Sequence, residues 1–236
     1  MYPVLFYGVP QGCSFGSIVA LEWLGQPYQL CRIEMLEQPW DPLYGQINTL
    51  YQTPSLLTED GAVVNESLAI LLHLAARPAA AGLGPRQGSG AFDRLNQMLS
   101  YLVTDFFSAF NPLWIAYEKA ELSADQRGLL QAVGREQVSN ACTYLNQLLA
   151  DQPWLLGEQR SLADAYLAGV ARWVSYHQLF DLPADYPNLA RYLDRLESDA
   201  AVRFATAIEQ GEAGTGSGAF QGHVGLEHLR SRLSTD

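Results

Sequence analysis

Lysine is all but absent. Lys119 is the only one in 236 residues, and lysine and arginine together number 14 against 25 acids, for a formal charge of −11. Nucleic-acid phosphates and anionic membrane surfaces are held by clustered cations, so neither is an expected partner. Long apolar runs are missing too: no stretch approaches the roughly 18–20 uninterrupted apolar residues of a spanning helix. Met1-Tyr2-Pro3 leads straight into "VLFY" without the basic segment of a secretory signal. Cysteine is scarce, and Cys13, Cys31 and Cys142 are odd in number and far apart. That spacing gives neither a disulfide framework nor a metal-ligand set. No metal is expected, and a reducing cytoplasm is the expected compartment. Hydrophobic residues make up 48% of the chain, enough to build one large core or two small ones.

The first third reads as alternating short elements. "PVLFYG" is a buried strand, and "SFGSIVALEWLG" is a helix stopped by Gly25. Tyr28 to Ile33 is a second strand. Pro39 and Pro42 break the next stretch, with a short helix near Leu43–Leu50. "SLLTEDGAVV" places Asp60-Gly61 between two apolar runs, a hairpin signal. A helix follows from about Glu66 to Arg77, ended by Pro78. Pro78–Gly90 holds four glycines and two prolines without periodicity and reads as a linker. Beyond it, apolar residues recur at helical spacing, as in Leu95, Leu99, Leu102, Phe106 and Phe110, or Ala163, Tyr166, Leu167, Val170 and Val174. Ser123 and Ser161 are candidate N-caps, and Ser161–Asp164 resembles a capping box. Residues 211–236 carry six glycines and read as a mobile tail with a short helix for docking.

A βαβ-ββα unit, a linker and an all-helical unit, with Pro54 before the third strand and Glu66-Ser67 at a helix start, resemble the cytosolic glutathione transferase family, its bacterial beta-class branch in particular. The resemblance covers roughly residues 3–210. It implies an α/β thioredoxin-like domain with a mixed four-stranded sheet at 1–78, a linker at 79–90, an all-α domain at 91–210 and a tail at 211–236. It also implies glutathione as substrate, a small hydrophobic electrophile as second substrate, a detoxifying activity, a cytoplasmic enzyme and a homodimer.

Residue by residue, Pro54 matches the family's cis proline, which turns the Thr53 backbone toward the ligand to pair with it as a strand would. Glu66 and Ser67 match the acidic-Ser pair that takes the γ-glutamyl end. The first turn of a helix has unpaired N–H groups that favour a carboxylate, and Glu66 can answer the ammonium. Cys13-Ser14 resembles the pair that activates sulfur at the first helix. Tyr7 resembles the tyrosine of other branches by location. Asp105 is the acidic residue on the first long helix that some branches extend to a neighbouring subunit's glutathione. Phe107, Trp114 and Tyr117 are candidates for the apolar second-substrate pocket.

The family's basic group near the end of the second strand, which meets the glycine carboxylate of glutathione, has no counterpart. "IEMLEQPWDP" supplies acids there, leaving Gln38 and Trp40 as candidate donors. Two alternatives stay open. Cys13 would support a glutathione-dependent thiol or peroxide reductase, and the missing base would suit a non-catalytic assembly module built on the same fold.

Overall fold

The computed structural model describes residues 1–8, 10–77 and 83–233. β1 (Val4–Tyr7), α1 (Ser14–Leu24), β2 (Tyr28–Arg32), α2 (Pro42–Gly45), β3 (Ser55–Leu57), β4 (Val63–Asn65) and α3 (Ser67–Ala75) form the first unit. β1 is its central strand, parallel to β2 and antiparallel to β3, and β3 and β4 form the hairpin turned at Gly61 with φ 90°. Alternation splits β1 between two cores. Leu5 and Tyr7 pack toward the helical side, while Val4 and Phe6 pack with Leu43 and Tyr44 around α2.

α1 is buried nearly all round because it is covered on both sides, by the sheet and by the second unit. Gly16 makes that possible: a Cβ there would sit 2.7 Å from the Ala165 carbonyl oxygen. The helical unit comprises α4 (Gly90–Tyr101), a π-helical turn (Leu102–Phe107), a 3-10 turn (Ser108–Phe110), α5 (Asn111–Glu118) and α6 (Ala124–Leu148). It continues through α7 (Leu162–Val170), α8 (Arg172–Tyr176), α9 (Leu182–Asp185), α10 (Pro187–Glu197) and α11 (Ala200–Gln210). Ser123 closes a full capping box with Gln126 on α6, and Ser161 does so with Asp164 on α7.

Two expectations meet a different structure. The sheet has five strands, not four, in the order β4-β3-β1-β2-β5. The fifth, β5 (Phe220–His223), comes from the segment expected as a tail and pairs parallel to β2. A 3-10 turn (Leu226–Leu229) and α12 (Arg230–Leu233) then bring Leu226 and Leu229 into the core around α2. Pairing at the β2 edge satisfies backbone groups that an edge strand leaves open. Within the linker, residues 78–82 lie outside the described part. Leu83 is buried, and its carbonyl accepts from Leu162 N–H, so that end is docked. The end of the α3 pattern at Pro78 likewise falls outside the described residues.

His223 ties the added strand to β1, its Nε2 lying 2.9 Å from the Tyr7 hydroxyl. Burial first, and then the Arg32 charge, push the His223 pKa down, so the folded chain favours neutral imidazole. The unfolded tail takes up a proton near pH 6.5. The contribution of His223 is therefore present above that pH and lost as pH falls through it toward the depressed folded value. The ring stays partly in solvent, so the expected effect is local. Protection of the β5 amides, taken relative to the intrinsic exchange rate at each pH, should be lower at pH 5.5 than at pH 8, and His223→Gln should flatten the difference. Equal pH dependence in that variant would assign the effect elsewhere.

Candidate functional site

The site is built at one end of the sheet. The β3–β4 ladder sets Ser55 opposite Asn65. Thr53 and Ser67, each two residues beyond that pair, therefore emerge together. The Thr53–Pro54 bond is cis. Thr53 is half-buried, and its backbone N–H and carbonyl have no partner among the described residues. Gly8, where β1 ends, lies under it: a Cβ there would stand 2.8 Å from Thr53 Oγ1 and 2.5 Å from Met35 Cγ. Only glycine lets the three segments approach this closely.

Across from Thr53, α3 begins without a cap. Glu66 holds the N-cap position at φ 72°, with no side-chain bond to the helix and no acid in its first turn. The first intrahelical donor is Ile70, to the Glu66 carbonyl, so the N–H groups of Ser67, Leu68 and Ala69 have no partner among the described residues. Such a terminus favours a carboxylate through its donors and dipole. A left-handed residue other than glycine costs free energy and clusters at functional sites. Glu66 is one here and Gln11, two residues before Cys13, is another with φ 60°.

Cys13 is the residue before α1, partly exposed, with αR backbone and no capping bond. Burial pushes its thiol up to about 11, opposed by a backbone hydrogen bond and reinforced by the Glu66 charge. The Glu66 contribution also places the α3 start within electrostatic reach of Cys13. A thiol that stays protonated at neutral pH is a donor rather than a nucleophile. Alkylation of Cys13 by iodoacetamide should be slow at pH 7.5 and rise toward pH 11. A rate plateau below pH 8 would contradict this. Ser14 is only 3% exposed, and its Oγ is buried without a partner among the described residues, leaving Cys13 as the more exposed member of the pair.

Other candidates are placed differently. Tyr7 is committed to His223 and to the Arg32 side, and burial raises its pKa. It is not a free hydroxyl. Trp40 stacks on Tyr51 at 5.2 Å and donates its indole N–H to the Met35 carbonyl at 2.9 Å, so that donor is spent. Gln38 is exposed and precedes a second cis proline. The only arginines up to residue 77, Arg32 and Arg77, are paired with Glu34 and Glu59. Asp105 sits on the π-helical turn, accepts from Thr104 Oγ1 at 2.7 Å, and lines a hollow of about 510 Å³ between α4 and α6 that holds none of the other candidates.

Phe107 and Trp114 pack on Trp173 at 5.0 and 5.2 Å between ring centroids, and Tyr117 stands 64% exposed at the edge of the same group. Trp173 in turn donates to the Gln11 carbonyl at 2.8 Å, which joins the aromatic group to the loop before Cys13. Sequence reasoning missed Trp173, Tyr176 and His177. "ARWVSYHQLF" places three ring types within five residues, a signal that the apolar stripe ending at Val174 obscured. Tyr166 was read as core. It is buried on α7 and lies in the electrostatic field of Cys13 and Glu66.

Two family matches cover most of the chain. Residues 13–77 match the glutathione S-transferase N-terminal domain and residues 90–195 its C-terminal domain. The glutathione S-transferase GstA of Escherichia coli O157:H7 is 27% identical over 208 residues, covering 87% of this chain and 98% of GstA. A sphingomonad glutathione S-transferase solved in complex with glutathione is 28% identical, with a TM-score of 0.76, covering 88% of this chain and 98% of that one. The bacterial beta-class glutathione S-transferase of Sphingomonas chungbukensis is also 28% identical, with a TM-score of 0.75, over 87% of this chain and 98% of its own.

Proposed function

The chain belongs to the glutathione S-transferase family, and from that premise we propose that it binds glutathione along the Thr53 edge and transfers its sulfur to a small hydrophobic electrophile. One observation carries the reading: an unpaired peptide edge at Thr53, an uncapped helix start at Glu66-Ser67 and the accessible Cys13 thiol converge at one end of the sheet. The solved sphingomonad relative is described as a glutathione complex, which supports the same ligand here.

Each group has a role. Ser67 and the free N–H groups behind it take the γ-glutamyl carboxylate, and Glu66 takes the ammonium. Thr53 pairs with the peptide of the ligand as an added strand would. The ligand's sulfur then reaches the start of α1, where the protonated Cys13 donates to it and stabilises its thiolate. The thiol proton passes to solvent. The thiolate attacks the electrophilic carbon, a carbon–sulfur bond forms, and the leaving group departs with its electron pair. Phe107, Trp114 and Trp173 offer the apolar bed for that second substrate, with Tyr117 at its edge. With Trp40 spent and both nearby arginines paired, the glycine carboxylate stays in solvent, so affinity is modest. Burial raises the Cys13 pKa, which favours transfer over the reductase alternative, since that alternative uses a Cys13 thiolate. A homodimer is part of the proposal. α6 leaves Leu129, Val133 and Tyr144 exposed, and light scattering on the purified protein reads its mass directly.

Calorimetric titration with glutathione tests the site. Ser67→Ala should weaken binding about tenfold or more, the loss of one hydrogen bond to a charged group, with an unchanged melting temperature. No heat at millimolar glutathione, together with no effect of Ser67→Ala, would overturn the proposal.

A further inference from the structure

α8 separates two surfaces. Trp173, on one side, meets Phe107, Phe110 and Trp114. Arg172 and Ser175, on the other, open onto a cavity of about 960 Å³ enclosed by α7 to α11 and by Pro10 and Gln11. Cys13, Thr53 and Ser67 do not line it, so it is not the glutathione cleft. Its volume comes from small side chains. Ala168, Ala171, Ala190 and Ala207 stand where larger residues would close the space.

The floor is electrically closed. The Arg172 guanidinium lies 3.7 Å from the centroid of the Phe15 ring and bonds both carboxylate oxygens of the buried Glu209, at 2.7 and 3.3 Å, and its Nε donates to the Gly169 carbonyl. The mouth is not. Five carboxylates and two guanidiniums line the cavity, and Arg172 and Glu209 cancel. Arg203 is turned to the Ser198 carbonyl, and the Asp181 carboxylate caps α9. Asp194, Glu197 and Glu212 have no side-chain partner among the described residues. Between floor and mouth the wall is apolar, formed by Phe180, Leu182 and Leu193 among others. Gln11 also lines the cavity, and its Oε1 is buried without a donor among the described residues.

An apolar wall beneath a negative mouth suits one class of ligand. Covering the wall releases water, at about 25 cal/mol for each Å² of apolar surface. A positive head finds the unpaired carboxylates of the mouth. An anionic head on the same body is repelled. We propose that this cavity binds small protonated amines carrying an apolar, aryl-alkyl body, at a site distinct from the glutathione cleft and adjoining it through Gln11.

The test is calorimetry on the full-length protein with 4-phenylbutylammonium and with 4-phenylbutyrate, which share a body and differ in charge. The ammonium should bind about tenfold tighter than the carboxylate or better, with an affinity that falls as salt rises. Asp194→Asn combined with Glu197→Gln removes two exposed charges and should weaken the ammonium about fivefold. It should leave the melting temperature and glutathione binding unchanged. Leu193→Arg should abolish binding by filling the cavity with a cation. Saturating glutathione should leave the ammonium affinity within about twofold, since the two sites do not overlap. Equal binding of the two probes, no effect of the double neutralisation, or displacement of the ammonium by glutathione would each overturn the proposal. The charge preference, the double neutralisation and the Leu193→Arg loss are read without glutathione, so this proposal can fail while glutathione binds at Ser67, and the reverse.

Discussion

A chain ending at Gly211 is expected to melt roughly 5–10 °C below the full-length protein and to aggregate as it does so. The reason is that residues 212–233 are part of the first unit rather than an appendage to the second. Phe220 packs between Tyr28 and Phe204, at 5.8 and 5.5 Å between ring centroids. Leu226 and Leu229 close the core around α2, and Arg232 bonds the Tyr2 and Thr58 carbonyls. Each large apolar side chain contributes about 1.5–3 kcal/mol when fully buried. Ordering a glycine-rich segment offsets much of that, so the net contribution is a few kcal/mol. Two further losses follow from truncation. Glu22 is a buried carboxylate held by the Tyr28 hydroxyl at 2.6 Å and by Ser217 N–H at 2.5 Å, and removing Ser217 takes one of its two donors. β2 becomes an open edge: Tyr28 N–H loses the Ala219 carbonyl and the Leu30 carbonyl loses Val224 N–H. Phe220→Ala in the full-length chain separates the packing loss from the edge loss, and should lower the melting temperature without promoting aggregation. A truncated chain that stays monodisperse and melts with the parent would show that the strand adds nothing.

What the sequence made legible was local. Asp60-Gly61 between two apolar runs and Ser123 as an N-cap each act on their own neighbours, and the structure has a hairpin and a capped helix start at those places, while the cis bond at Pro54 was implied by the family resemblance. The order of elements followed from the same signals. β5 was not legible, because "FQGH" is four residues interrupted by Gly222 and its partner, Tyr28, lies 192 positions away. The family match to the helical domain ends at residue 195, so the resemblance was silent about it too. Side-chain commitments were equally hidden. Nothing near Tyr7 indicates that His223 holds its hydroxyl, and nothing near Trp40 indicates that the Met35 carbonyl takes its N–H. Trp173 was obscured for the opposite reason: a large ring on an apolar helix looks like core, and only the bond to Gln11 shows that it also fixes the loop before Cys13. The cavity behind Gln11 depends on alanines from three helices and from the junction between α7 and α8, a property no single segment carries.

Asp164→Ala should cost about 3–5 kcal/mol, since four buried donors lose their acceptor at about 1–3 kcal/mol each before the site relaxes, which for a chain this long lowers the melting temperature by roughly 10 °C. Asp164 is fully buried, and four donors converge on its two oxygens. Oδ1 accepts from Leu155 N–H at 3.0 Å and the Tyr192 hydroxyl at 2.7 Å. Oδ2 accepts from Ser161 N–H at 2.7 Å and Ser161 Oγ at 2.8 Å. One side chain thus joins the loop before α7, the start of α7 and the face of α10. Alanine leaves all four donors without an acceptor in a place water does not reach. Asparagine keeps the shape but turns an N–H pair toward two of those donors, so Asp164→Asn should recover less than half of the loss. Ser161→Ala removes one donor and a cap, and should cost only about 1 kcal/mol. α7 also packs directly on α1 at Gly16, where Gly169 approaches the Gly16 nitrogen closely enough that a Cβ would stand 3.2 Å away. Loosening α7 therefore loosens the helix that begins at Cys13. The two effects separate with temperature. Well below its melting point, folded Asp164→Ala protein should bind glutathione like the parent if Asp164 serves folding alone. An affinity loss that persists there, alongside an unchanged melting temperature, would make Asp164 part of the site instead.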